Sequence, residues 1–177
     1  LAIDLYSGKV VTTPEEAHAL MKAVVPAGAS ETMATWVDWL RQNPDCNGKV
    51  ASIGWCFGGG MALQAAMDRP LDAAVVYYGN VARSADELKS VKGPVLGQFA
   101  NADQWINPAM VDGFEAAMKQ AGKTAEVHRY DGDHAFAVGG RGGRIMGGAP
   151  GRVHALVGER DAASRRFALL HPHRPVG

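Results

Sequence analysis

One stretch of the sequence, residues 49–63, constrains the fold more than any other. It reads as a short apolar strand, a glycine-lined turn that carries Cys56, and a helix rich in alanine and leucine. Gly54 and Gly58 flank the cysteine in the pattern G-x-C-x-G, which is typical of a nucleophile elbow. Such a turn gives the nucleophile a strained backbone that is possible only if its neighbours have no side chain, which explains glycine at positions 54 and 58.

The helix after this turn favours a thiolate at Cys56, because the helix dipole and the free N–H groups of its first turn point toward the sulfur. We therefore predict that Cys56 is a nucleophile. The alternative is a buried structural cysteine in a glycine-rich bend. Cys46 lies in a predicted turn, and we interpret it as incidental.

Apolar runs alternate with amphipathic segments through the first 130 residues, and this alternation predicts an α/β fold with a mostly parallel sheet. Thr13, Pro14 and Glu16 form the pattern of a capping box that begins a helix. The predicted strands are 1–6, 50–53, 71–78, 94–100 and 125–130, and the predicted helices are 14–23, 30–42, one from 57, one turn at 86–88, and 108–121.

Cys56, Asp103 and His134 each follow the end of a predicted strand. In parallel sheets the reactive groups gather at the carboxyl ends of the strands. The order nucleophile, acid, base is that of the α/β-hydrolase triad. Asp131 and Asp133 compete for the role of acid but are interpreted as turn formers around a glycine. Asp103 itself could instead be only a helix-capping residue, and His134 only a solvated loop histidine.

The other histidines are less well placed to act as the base. They are His18 on a predicted helix, His128 within a strand, and His154, His171 and His173 near the C-terminus. For the oxyanion hole, we predict the backbone N–H of Phe57 as one donor, with a second N–H from a loop after an earlier strand. No such strand and loop occurs in this sequence.

Four segments together resemble the dienelactone hydrolase family, also called carboxymethylenebutenolidases. They are Gly54–Gly59, Asp4–Tyr6, Asn101–Asp103 and Tyr130–Ala137, and the likeness extends from residue 1 to about 138. The resemblance implies an α/β-hydrolase-type three-layer sandwich. It also implies a cofactor-free hydrolysis of a lactone or other activated ester, with Cys56 as nucleophile, His134 as base and Asp103 as the acid that orients it.

Several features of this family have no counterpart in the sequence. The glutamate that controls thiolate formation, and the strand with the second oxyanion-hole loop, would precede Leu1. The arginines that hold the substrate carboxylate are replaced by 7–9 (Ser-Gly-Lys) and by Val138. We therefore expect a broader dienelactone-hydrolase-like esterase rather than a dienelactone enzyme, with N-terminal strands missing from the fold.

Two other functions remain open. A class I glutamine amidotransferase also uses G-x-C-x-G, but its orienting glutamate would stand where Phe136 is. The other is an incomplete, weakly active or non-catalytic hydrolase fragment. Such a fragment would either pair residues 1–5 directly with 50–53, or be partly unfolded and associate through open strand edges.

Composition divides the chain into two regions. Residues 1–138 are the predicted hydrolase domain, whereas 139–177 hold seven arginines and no lysine among many glycines. We expect this tail to lack a helix, either through a reading-frame shift or as a natural basic tail that could touch a polyanion.

Two cysteines, no metal-ligand cluster and no apolar span predict a cytoplasmic enzyme acting on a small ester or lactone. We expect no metal, nucleic-acid or membrane partner, and the sequence does not determine an oligomeric state.

Overall fold

A computed structural model describes residues 1–137, which form a four-stranded parallel sheet with five helices. The strands lie in the order β1-β2-β3-β4, so that each is hydrogen-bonded to its neighbour in the chain. The elements are α1 Pro14–Ala23, α2 Pro26–Gln42, β1 Ala51–Trp55, α3 Phe57–Asp68, β2 Ala73–Tyr77, α4 Ala85–Leu88, β3 Val95–Ala100, α5 Pro108–Gln120 and β4 Ala125–Tyr130. The predicted alternation of strands and helices is therefore confirmed from β1 onward.

Helix starts follow the local chemistry of the sequence. The capping box predicted for α1 is present, because the Thr13 hydroxyl accepts the Glu16 N–H while the Glu16 carboxylate accepts the Thr13 N–H. The predicted start of α2 at residue 30 is wrong, since the helix begins at Pro26. Proline suits the first position of a helix, and its fixed φ angle extends α2 by one turn across Gly28.

The core lies between the sheet and the helices that pack on it. β2 and β3 are the interior strands, and every residue of β3 is buried. Each large apolar side chain buried here contributes about 1.5–3 kcal/mol through the hydrophobic effect. The largest fully buried ones include Leu63, Leu88, Leu96, Phe99, Phe114 and Met118.

The prediction that residues 1–6 form a strand is wrong. The Asp4 carboxylate accepts the N–H groups of Tyr6 (2.7 Å) and Gly8 (2.5 Å), and this fixes a turn instead. A short polar side chain that bonds to nearby backbone competes with strand pairing in this way. Of the two alternatives given for the fragment, direct pairing of residues 1–5 with β1 is therefore also wrong.

β1 is an edge strand among the described residues, because within 1–137 it pairs with β2 alone. Ile53 and Trp55 leave 49% and 44% of their surface exposed on this strand. None of the helices between residues 1 and 137 is long and apolar enough to cross a bilayer. The predictions for residues 139–177 fall outside the described part of the chain.

Candidate active site

The turn between β1 and α3 holds Cys56 in a strained conformation, with φ of 52° and ψ of −122°. A non-glycine residue with positive φ is uncommon, and such strain is concentrated at functional sites. The Cys56 N–H donates to the carbonyl of Tyr77 at 3.0 Å, and the Cys56 carbonyl accepts the Gly59 N–H at 2.9 Å. The turn is thus fixed to both β2 and α3.

Glycine at position 54 has a direct steric cause. A Cβ atom there would lie 1.9 Å from the carbonyl oxygen of Gly58, which no real contact permits. At Gly58 itself a Cβ would meet nothing within 4 Å. The prediction that both positions must lack a side chain therefore holds at 54 but is wrong at 58, where only the backbone makes the contact.

The start of α3 also approaches the end of β2 backbone to backbone. A Cβ on Gly59 would lie 2.7 Å from the Tyr77 carbonyl oxygen, and one on Gly79 would lie 2.3 Å from the Gly60 nitrogen. Only glycines allow this approach. It holds the turn with Cys56 against the carboxyl end of the neighbouring strand.

The three predicted site residues meet at this edge of the sheet. The Nε2 atom of His134 lies 3.1 Å from the Sγ atom of Cys56, and its Nδ1 atom lies 2.6 Å from Oδ2 of Asp103. Asp103 is buried, with 1% of its surface exposed, whereas Cys56 is exposed. Thiol, imidazole and carboxylate therefore form one hydrogen-bonded path from solvent to the interior.

Asp103 follows β3, and its second oxygen is also occupied. Oδ1 accepts the N–H of Trp105 at 2.8 Å and the N–H of Ile106 at 2.9 Å. The proposed alternative of a helix-capping aspartate is not the arrangement found, because Asn107 caps α5. The carboxylate is thus held by backbone donors while it bonds to His134.

Two aromatic rings that sequence reasoning did not identify flank the imidazole of His134. The Tyr78 ring lies 5.1 Å from it and the Trp105 ring 4.8 Å, both edge to face. Tyr78 directly follows β2, so the rule that reactive groups gather at strand ends could have found it. Trp105 carried only the weaker signal of standing two residues after Asp103.

Tyr78 combines several unfavourable features. Its φ angle is 35°, and its buried hydroxyl has no hydrogen-bond partner among the described residues. Burial, with smaller contributions from the charges of Cys56 and Tyr77, raises the pKa of Tyr78 to about 12. Strain and an unpaired buried polar group therefore coincide at one residue beside Cys56 and His134, and such features are concentrated at functional sites.

The competing acids and bases lie apart from this path. Asp131 accepts a hydrogen bond from Asn101, and Asp133 is exposed. The remaining described histidines occupy the elements predicted for them, His18 on α1 and His128 on β4, where it bonds to Glu126 at 2.8 Å. His154, His171 and His173 lie outside the described residues.

Phe57, the predicted source of the first oxyanion-hole donor, is the first residue of α3. An N–H at this position has no acceptor within its own helix and is free to bind an anion. The Phe57 ring stacks on Tyr6 with centroids 6.4 Å apart.

Cys46 is half-buried, and its Sγ atom lies 3.9 Å from the Lys49 carbonyl oxygen, away from the site.

Comparison with curated proteins gives carboxymethylenebutenolidases. The chain is 30% identical over 154 residues to the carboxymethylenebutenolidase of Pseudomonas putida, with 82% of this chain and 60% of that protein covered. It is 38% identical over 89 residues to a putative carboxymethylenebutenolidase of Saccharolobus solfataricus, with 50% and 34% covered. The chain thus spans between a third and three fifths of the length of these relatives.

Comparison with solved structures gives the same fold at lower identity. The structure named m3DLH has a TM-score of 0.72 and 20% identity, and the match covers 88% of this chain and 72% of that one. A putative dienelactone hydrolase from Klebsiella pneumoniae has a TM-score of 0.61 and 24% identity, with 75% and 62% covered. The predicted α/β-hydrolase fold class is confirmed.

The model of the Dienelactone hydrolase family matches residues 1–165, which is most of the chain. This match agrees with the curated relatives and with the fold of the solved structures. The chain belongs to the dienelactone hydrolase family.

Proposed function

We propose that this chain hydrolyses a lactone or small activated ester through a Cys56–His134–Asp103 triad, without a cofactor. The observation that carries the proposal is the hydrogen-bonded path from the exposed Cys56 sulfur through the imidazole to the buried Asp103 carboxylate. A nucleophile, a base in contact with it, and a third group that orients the base are the parts of covalent acyl transfer.

In the first half of the reaction, Nε2 of His134 takes the thiol proton and the Cys56 sulfur attacks the ester carbonyl carbon. A C–S bond forms, and the carbonyl electron pair moves onto oxygen. When this pair returns, the C–O bond to the alcohol breaks and Nε2 gives its proton to the departing oxygen. The products are an acyl-cysteine and a free alcohol, or the hydroxyl end of an opened lactone.

In the second half, His134 removes a proton from water, and the resulting hydroxide attacks the thioester carbon. The C–S bond then breaks, the acid leaves, and the thiol regains its proton. Asp103 stabilises the imidazolium in both halves and keeps Nδ1 protonated. The Phe57 N–H stabilises the oxyanion, a contribution of about 2.7–4 kcal/mol per donor where it has been measured.

Two alternatives predict different behaviour. A non-catalytic fragment would form no acyl-cysteine at Cys56. This alternative is retained because the chain covers only part of the length of its relatives. A glutamine amidotransferase would need a glutamate at 136, where the Phe136 ring packs against Tyr78 and Tyr130. Asp103 already occupies the place of the orienting acid, which favours the hydrolase.

The experiment is a stopped-flow assay of the full chain with 4-nitrophenyl acetate. We expect a burst of nitrophenol equal to the enzyme concentration, and an acetyl group on the peptide that contains Cys56 by mass spectrometry. Cys56→Ala should abolish both, whereas Cys46→Ala, the matched control at the other thiol, should leave both unchanged. Turnover that survives Cys56→Ala would refute the proposal.

A further inference from the structure

One exposed aromatic side chain lies beside the imidazole. Trp105 leaves 71% of its surface exposed, although its ring centroid lies only 4.8 Å from that of His134. The backbone N–H of Trp105 donates to Oδ1 of Asp103, the carboxylate whose other oxygen contacts His134. The backbone of Trp105 and the imidazole are therefore held by the same carboxylate.

The other ring in contact with the imidazole is not accessible. The Tyr78 ring lies 5.1 Å from it with only 1% of its surface exposed, and Phe136 packs against Tyr78 in turn at 5.3 Å. Of the two rings beside His134, Trp105 is therefore the one that a bound molecule can contact.

The other exposed tryptophans differ from Trp105 in what they contact. Trp36 and Trp39 contact each other on α2 at 5.6 Å, and Trp55 stacks on Tyr77 at 5.5 Å. Among the tryptophans of the described residues, Trp105 is the one whose ring contacts a group of the proposed triad. An apolar surface beside the proposed nucleophile and base is typical of a ligand-binding wall.

We infer that Trp105 is a specificity-determining residue that binds the alcohol portion of the substrate, and that this portion is aromatic or similarly flat and apolar. The inference rests on the proposed ester hydrolysis. When the C–O bond breaks, Nε2 of His134 donates its proton to the departing oxygen, so that oxygen lies within hydrogen-bond reach of the imidazole. The group attached to it must then lie beside the imidazole, where Trp105 stands. The acyl portion remains on sulfur, on the side of Phe57.

Two pairs of esters test which portion contacts Trp105. Phenyl acetate and ethyl acetate share an acyl group and differ in the alcohol, whereas methyl benzoate and methyl acetate share an alcohol and differ in the acyl group. For Trp105→Ala we expect the kcat/KM ratio of phenyl to ethyl acetate to fall by about threefold to tenfold, the effect of losing one aromatic contact. The benzoate to acetate ratio should stay constant. A displaced imidazole would lower all four rates, but it would not lower the phenyl to ethyl ratio, because the departing ethoxide depends on the donated proton more than the departing phenoxide does.

Trp105→Phe keeps a ring and should retain most of the preference for the phenyl ester. Trp39→Ala removes an exposed tryptophan from α2 and should change neither ratio. A change in the benzoate ratio alone would assign Trp105 to the acyl side and overturn the inference. An unchanged phenyl to ethyl ratio would overturn it as well, while Cys56-dependent turnover left the proposed function standing.

Thiol exchange at Cys56 separates the two proposals even where no ester is turned over. The rate constants for S-methyl benzenethiosulfonate (the phenyl reagent) and S-methyl methanethiosulfonate, which leave the same methylthio group on sulfur and differ only in the departing sulfinate, are compared by mass spectrometry of the Cys56 peptide in the full chain. A preference for the phenyl reagent that falls about threefold or more in Trp105→Ala supports the aromatic site, even if hydrolysis fails. If the unsubstituted chain and Trp105→Ala show the same preference for the phenyl reagent, the aromatic site is refuted.

Discussion

Asp103 accepts hydrogen bonds at both carboxylate oxygens, and an amide could not replace both. In Asp103→Asn, the amide oxygen would keep the N–H groups of Trp105 and Ile106, and the NH₂ group would then face Nδ1 of His134. This favours the tautomer with a proton on Nε2, which cannot accept the Cys56 proton. We expect kcat to fall by about 10⁴, as for the same exchange in a serine protease, with a nearly unchanged melting temperature. A fall of less than tenfold would contradict the role given to Asp103.

The buried hydroxyl of Tyr78 predicts a dependence of stability on alkaline pH. Because burial, first of all, raises its pKa to about 12 from the ordinary value of 10, the unfolded chain ionises before the folded one. Ionisation of this residue therefore leaves the free energy of unfolding unchanged below pH 10 and lowers it as the pH rises toward 12. Tyr78→Phe should remove this alkaline loss from urea melts between pH 9 and 12.

At neutral pH, Tyr78→Phe should leave stability unchanged or raise it by up to about 1 kcal/mol, since the hydroxyl has no partner among the described residues. A loss of more than about 1 kcal/mol at pH 7 would show that the hydroxyl is paired. The kcat of the same variant then shows separately whether the ring at position 78, without its hydroxyl, is enough to hold His134 in place.

At the scale of elements, the junction between β1 and α3 offers a matched pair of glycines. Gly54→Ala places a Cβ 1.9 Å from the Gly58 carbonyl oxygen, so the turn must move and carry Cys56 with it. We expect the free energy of unfolding to fall by about 1–3 kcal/mol and Cys56 to be alkylated more slowly. The Cβ added by Gly58→Ala would meet nothing within 4 Å, and because this position lies in helix α3 the free energy of unfolding should rise by up to about 1 kcal/mol. Equal effects in denaturant melts would contradict this steric account.

Sequence reasoning found these elements where local chemistry decides the structure. The capping box at Thr13, the strand–turn–helix around Cys56 and the strand ends at Asp103 and His134 each depend on residues close in sequence. It failed for residues 1–6, whose mostly apolar run suits a strand, because the Asp4 carboxylate accepts nearby backbone N–H groups and fixes a turn instead. It also missed the contacts of Tyr78 and Trp105 with His134, because these join segments that are far apart in sequence, although the position of Tyr78 at the end of a strand was a signal.

At the scale of the whole molecule, the open edge of β1 predicts self-association. Within residues 1–137 this strand pairs only with β2, and Ile53 and Trp55 stand exposed along it. Exposed apolar edges promote pairing between chains, and a charge on the edge opposes it. We expect Ile53→Lys to lower the associated fraction seen by light scattering, whereas a lysine at the exposed Val10, away from the sheet, should not. Equal association in both variants would place the contact elsewhere.

The backbone contact between Gly59 and Gly79 has a consequence for the order in which the chain folds. β1, α3 and β2 are contiguous in sequence, so their contacts close short loops and we expect them to form early. His134 lies 78 residues from Cys56, and we expect it to join only once β3 and β4 have been added. A newly made or refolding chain would then present an exposed cysteine turn before the proposed base is in place. During that interval the sulfur is open to oxidants, and the final yield of competent protein depends on how reducing the surroundings are.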